Sequence, residues 1–155
     1  MPNEYSAFGT KLAVGNNETP SEEFTEMAQV RDIDGPGMNM STIEATHHQS
    51  ASNMKEYVAG LVDGGEVTFE VVWDPADATH DDTTGFIYLL KNRLKRNWKL
   101  VTPVAASVGY WALAFAAFVT QFKTKEPVEG MLAADVTLKV TGAVTLEDFD
   151  SSTLC

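Results

Sequence analysis

The sequence predicts a mainly β protein, a β-sandwich or barrel-like fold with one flanking α-helix over about residues 82–96. Three observations predict it. Short alternating runs recur between Gly, Pro and Asn turn signals. The cleanest is Glu66–Trp73, where Val67, Phe69, Val71 and Trp73 face one way and Glu66, Thr68, Glu70 and Val72 the other. Only one window carries a broad helical stripe, formed by Phe86, Ile87, Leu89, Leu90 and Leu94. With 155 residues and 44% hydrophobic content, the chain is long enough for one domain with its own core.

The elements follow in order. Residues 1–7 read as an N-terminal arm, Phe8–Val14 as a strand, and Gly15–Pro20 as a turn. Phe24–Ile33 reads as one return strand. Gly35-Pro36-Gly37 stops it, because Gly and Pro set a turn and forbid a helix. Met40–His47 is a third strand. His48–Met54 is a polar loop, and Lys55–Val62 reads as a short helix or irregular turn ended by Asp63-Gly64-Gly65. Asp74–Asp82 is an acidic loop. An Asp81/Asp82 N-cap then opens the helix, and Lys91, Arg93, Lys95 and Arg96 complement the dipole at its C-terminal end.

Trp98–Val104 is a strand, with Pro103 at a strand end or a bulge because proline cannot donate to a ladder. The apolar run Val104–Val119 falls short of the ~20 residues of a spanning helix and alternates like a strand, so no membrane insertion is expected. Tyr110–Phe122 is a long strand. Ala133–Thr141 alternates Val136, Leu138 and Val140 with Thr137, Lys139 and Thr141. Gly142 reads as a turn into Ala143–Leu146, and residues 147–155 as an acidic C-terminal tail.

Composition bounds the function. Twenty-two acidic against 11 basic residues give a net charge of −11. That disfavours a nucleic-acid binder, which needs Lys and Arg for phosphates, and suits a surface that repels polyanions. The single cysteine, Cys155, cannot close an internal disulfide. His47 and His48 are adjacent, so a strand would point them to opposite faces. His80-Asp81-Asp82 reads as a solvated loop ending in the helix cap. No zinc-hydrolase, nucleophile-elbow or phosphate-loop motif occurs. No catalytic, metal or cofactor site is therefore assigned, and the protein is read as non-enzymatic.

Several segments carry a resemblance in their order along the chain. They are Gly9-Thr10-Lys11-Leu12, Ile33-Asp34-Gly35-Pro36, Ser41–Thr46, Tyr57–Gly65 and Val136–Gly142. Together they resemble the major tail tube proteins of long-tailed, lambda-like bacteriophages. The resemblance implies a β-sandwich with a helix on its flank, six copies closing into a ring, and rings stacking into a tube through which DNA leaves without specific binding. It implies a virion tail protein assembled in the host cytoplasm, with tail tip, tape measure and tail terminator proteins as partners. Channel-facing positions are then expected to be acids and hydroxyls, and Thr42, Glu44, Thr46, Glu66, Thr68 and Glu70 fit. The matching family loop, residues 47–65 here, reaches the next ring, so Tyr57 and Leu61, four apart, become the stacking anchors if the segment turns helical. The arm, this loop and the tail are expected to be mobile in the monomer and ordered in the tube. Two other readings stay open: a tube subunit of a type VI secretion or related contractile system, and a non-assembling acidic β-sandwich that binds a basic partner.

Overall fold

The computed structural model describes residues 8–18, 21–49, 54–103 and 110–149. The expected N-terminal arm, and residues 150–155 of the expected tail, lie outside them. Among the described residues nine strands and a short helix follow one another: β1 (Lys11–Gly15), β2 (Phe24–Glu26), β3 (Val30–Asp34), β4 (Asn39–Glu44), β5 (Tyr57–Asp63), β6 (Glu66–Val72), α1 (Phe86–Lys91), β7 (Lys95–Pro103), β8 (Tyr110–Lys125) and β9 (Ala133–Phe149). Seven form one antiparallel sheet in the order β2-β1-β7-β8-β9-β6-β3. The other two, β4 and β5, form a separate hairpin.

The sheet must curl, and the chain itself says why. β2 and β3 are its two opposite edges, yet only Met27, Ala28 and Gln29 separate them. Those residues span at most ~14 Å, whereas the edges of a flat seven-stranded sheet would stand ~29 Å apart. The sheet therefore rolls into an open barrel with a seam at residues 27–29. Met27 N–H donates to Leu12 O at 2.8 Å on one side of the seam, and Val72 N–H donates to Gln29 O at 3.0 Å on the other. The expected single strand Phe24–Ile33 is thus two strands that part company at the seam.

His80 holds this seam. Its side chain is fully buried. Asp74 N–H donates to its Nδ1 at 3.2 Å, so Nε2 carries the proton and donates to Ala28 O at 2.7 Å. Thr79 Oγ1 accepts from Ala28 N–H at 3.2 Å. Two consecutive loop residues thereby satisfy both polar groups of the seam peptide. The expectation of a solvated His80 is corrected, since its ring packs 5.4 Å from that of Phe86 inside the barrel mouth.

The core fills the barrel. Trp98, Leu12, Val67, Phe69, Val136 and Leu138 are buried along it, and Phe86 and Leu89 of α1 plug one opening. The aromatic rings of Phe69 and Trp98, Phe86 and Phe122, and Trp73 and Phe122 lie 5.4–6.4 Å apart.

The helix is shorter than expected, Phe86–Lys91 rather than 82–96. Upstream, the Asp81 carboxylate accepts from the backbone N–H groups of Thr83, Thr84 and Gly85, which ties those residues into a turn. Gly85 is the N-cap and makes no side-chain capping bond. Downstream, Arg93 adopts a left-handed φ of 57°, and β7 begins at Lys95. Only Lys91 of the four expected cations lies in the last turn.

β9 corrects two further expectations. It runs unbroken through Gly142 to Phe149, so Gly142 is not a turn and residues 147–149 are strand, not tail. Gly142 has φ 80°, and the pairing with β8 shifts beside it between Ala114 and Ala116. That bulge bends the ladder. Below it Phe115, Ala117 and Val119 face the core; above it Ala112 is buried against Val101, and Trp111 is partly exposed.

Candidate assembly surface and channel face

The β4–β5 hairpin leaves the barrel at Asp63-Gly64-Gly65. Gly65 has φ 73°, and a Cβ there would meet the backbone of Gly37. A Cβ on Gly64 would press on Val140. Gly65 O accepts from Val140 N–H at 3.1 Å, which fixes the hinge to β9. The Asp63 carboxylate accepts from Gly65 N–H at 2.9 Å and from Lys139 Nζ at 3.4 Å. Those bonds, the Gly65 one first, hold its pKa below the usual carboxylate value.

This hairpin is clothed on neither face. Every residue of β4 is exposed, and in β5 only Gly60 is partly covered. Its side chains are nevertheless apolar: Met40, Ile43, Val58, Val62 and Tyr57 are all more than half exposed, and Leu61 is 88% exposed. A two-stranded ribbon with no covered face is marginal in water by itself. Both strands also keep one unpaired edge among the described residues.

The expected stacking loop is therefore in good part a strand. Thr42, Glu44, Tyr57 and Leu61 belong to the hairpin, and Thr46 lies just beyond β4, exchanging bonds with the Glu56 backbone at 2.9 and 3.4 Å. The condition that Tyr57 and Leu61 share a helical face is not met, because Tyr57–Asp63 is extended. The pairing shifts between Met40 and Thr42, which sets Gly60 and Leu61 against Ser41. One extra residue inverts the alternation. Tyr57 then lies with Glu44, Thr42 and Ala59, and Leu61 lies on the opposite face.

The outer face of β6 carries the remaining candidates. Glu66 and Thr68 are exposed and Glu70 is half-buried, while Val67, Phe69 and Val71 point into the core. Glu70 sits directly across from Asp135 on β9. Lys125 Nζ reaches Asp135 at 3.0 Å and Glu70 at 3.3 Å, and Arg31 reaches Glu70 at 3.3 Å. Bonds to Asp135, then Glu70, hold the Lys125 pKa above its usual value. Glu70 is thus tied into a charge network, whereas Glu66 and Thr68 are open to whatever faces the sheet. Asp32 and Asp34 on β3 line the same groove as Thr68 and Glu70. Among the described residues no group of three or more His, Cys, Asp or Glu is arranged to hold a metal ion, and no helix is long and apolar enough to cross a membrane.

Sequence reading missed the apolar ribbon and the seam histidine. A signal for the first was present. Tyr57-Val58-Ala59-Gly60-Leu61-Val62 is rich in β-formers, but without alternation it carried no strand period.

The model of the lambda phage tail tube protein family matches residues 7–147. The chain belongs to that family. As a tail tube protein it is a structural component of the virion tail. Solved structures share its fold. A chain from the tail of an empty gene transfer agent particle, reconstructed with C6 symmetry, superposes with a TM-score of 0.66 at 17% identity, covering 88% of this tail tube protein and 95% of that chain. The SPP1 tail tube superposes at 0.67 with 14% identity, covering 92% of this chain and 78% of that one. A chain from the sheath/tube terminator structure of an extracellular contractile injection system superposes at 0.65 with 12% identity, covering 94% and 98%. No curated protein matches the sequence.

Proposed function

We propose that six copies of this tail tube protein close into a ring, that rings stack into a hollow tube, and that DNA passes through its lumen without specific binding. The observation that carries this reading is the β4–β5 ribbon, with apolar side chains on both faces and unpaired edges. An exposed edge of this kind is an aggregation hazard unless other copies of the chain close it, and a cyclic ring removes it. The count of six follows the gene transfer agent tail reconstructed with C6 symmetry. The part is structural, with no catalytic role.

The lumen needs a surface that offers phosphates no partners. A net charge of −11 supplies one, and Thr42, Glu44, Thr46, Glu66 and Thr68 are the positions assigned to it. Glu70 contributes through the charge network. Tyr57 and Leu61 are assigned to contacts between copies, one on each face of the ribbon. The arm of residues 1–7, the β4–β5 hairpin and the chain beyond Phe149 are assigned to contacts made on assembly. Tape measure, tail tip and terminator proteins meet the tube at its bore and ends. Negative-stain microscopy of the purified protein at rising concentration tests the reading. Uniform hollow rings or tubes are the expected result; compact monomers at every concentration, with or without tail tip complexes, would overturn it.

A further inference from the structure

Three of the chain's six methionines lie on the exposed ribbon or next to it. Met38 immediately precedes β4, Met40 lies within it, and Met54 comes just before β5. They are 56%, 55% and 69% exposed. Met131, in the connection between β8 and β9, is 60% exposed, whereas Met27 at the seam is 3% exposed. Among the described residues the thioethers thus divide into four that solvent reaches and one that the core encloses.

Strand formation does not call for methionine at positions 38 and 40. The ribbon also carries Ile43, Val58 and Val62, which are better β-formers. Met40 sits directly across from Val62. Met38 and Met40 both line a groove between the root of the ribbon and β9, where Val140 and Val144 form the opposite wall. A flexible thioether suits a surface that must fit another. It is also an apolar group that a mild oxidant turns polar.

A peroxide supplies that step. The sulfur lone pair attacks one peroxide oxygen. An S–O bond forms, the O–O bond breaks, and the other oxygen leaves as water. The sulfur is oxidised by two electrons and the peroxide is reduced. The resulting sulfoxide carries an acceptor oxygen. On a groove wall open to water that oxygen is hydrated. Buried against another molecule, it must find a donor or remain unpaired, which is costly. The modification therefore leaves the free subunit nearly unchanged and acts on association.

We propose that Met38 and Met40 form a redox-sensitive site on the assembly surface: peroxide converts both to sulfoxides in the free subunit, and the sulfoxides block the ribbon from joining a second copy. Association shields the same two sulfurs, so only unassembled subunits are inactivated. The proposal rests on the reading that copies associate through the ribbon, and it names the side chains at which oxidation stops them.

Free protein is treated with hydrogen peroxide, mapped by peptide mass, and then concentrated for tube growth. Sulfoxides are expected at Met38, Met40, Met54 and Met131 but not at Met27. Tube growth should fall about tenfold or more, as the loss of one buried methionine side chain implies, while the Tm of the monomer stays unchanged. The two epimer-specific methionine sulfoxide reductases should restore growth. Met38→Leu with Met40→Leu conserves volume on an exposed surface, so it should assemble like the parent. It should keep growing after peroxide, although Met54 and Met131 are still oxidised. Tubes grown first and then treated should persist with Met38 and Met40 unmodified. Parent protein that carries both sulfoxides and grows tubes at the untreated rate would overturn the proposal. So would a leucine variant that peroxide stops as it stops the parent, or sulfoxides at both positions in intact tubes. Untreated protein that forms no tubes fails the assembly reading instead, and the proposal falls with it.

Discussion

Glu70 and Asp135 face each other directly across the β6–β9 ladder, two carboxylates at one register position, and Lys125 from β8 bonds to both. Like charges so placed repel. The lysine converts the repulsion into a three-strand tie, and Arg31 extends it to β3.

Lys125→Met should therefore lower the Tm of the monomer, and added salt should recover part of the loss by screening the two acids. Melting curves at low and high ionic strength measure it. A variant as stable as the parent in low salt would show that solvent already screens the pair. The same network refines a test of the channel. Glu70→Lys would disturb the fold, so Glu66→Lys is the clean probe. Tubes should still form, and DNA ejection should slow as phosphates find a cation. Unchanged ejection through assembled tubes removes Glu66 from the bore.

His80→Leu should cost about 2–4 kcal/mol, because it leaves Ala28 O and Asp74 N–H without partners in the barrel mouth. Urea denaturation of the monomer reads it. A loss under about 1 kcal/mol would mean that the seam closes without this side chain.

The turns before α1 make the fold acid-sensitive. Asp81 has its pKa lowered chiefly by the Thr84 N–H and then the Thr83 hydroxyl, and Asp77 chiefly by the Thr79 hydroxyl. A carboxylate with a depressed folded-state pKa stabilises fully above its unfolded value of 3.8, and that contribution is lost as the pH falls through the folded value. Stability should be flat near neutrality and fall below about pH 4. The destabilisation caused by Asp81→Ala should shrink as the pH drops over the same range. A gap that stays constant down to pH 2 would rule out this linkage.

Tyr57→Ser with Leu61→Ser should leave the monomer within ~0.5 kcal/mol of the parent, since both side chains are exposed. Tube growth should stop. A large fall in monomer stability would assign the pair to the subunit's own packing. Because the bulge puts them on opposite faces, the single variants should impair different contacts, which mass analysis of partial assemblies can separate.

Alternation made β6 and the first half of β9 legible in the sequence, and the missing N–H of Pro103 left a strand end or a bulge, of which the structure shows the end. The acids of β6 were placed on the face away from the core for the same reason. What escaped depends on distance in space. Nothing local in Phe24–Ile33 says that its halves lie at opposite edges of a sheet, and nothing in T-H-D-D says that the histidine is inside. Gly142 reads as a turn until a partner strand holds it in a bulge. The ribbon escaped because its apolar residues are exposed on both faces, so their pattern answers to no internal core.

The seam has a temporal consequence. β3 and β6 are synthesised early, yet the strand that ties them to the rest of the sheet is β9, the last of the nine. β1 likewise waits for β7. Such late, distant pairings make folding slow. The first half of the chain, ribbon included, emerges from the ribosome before it has a sheet to join. The barrel to which the ribbon is hinged is therefore complete only after β9 has been made.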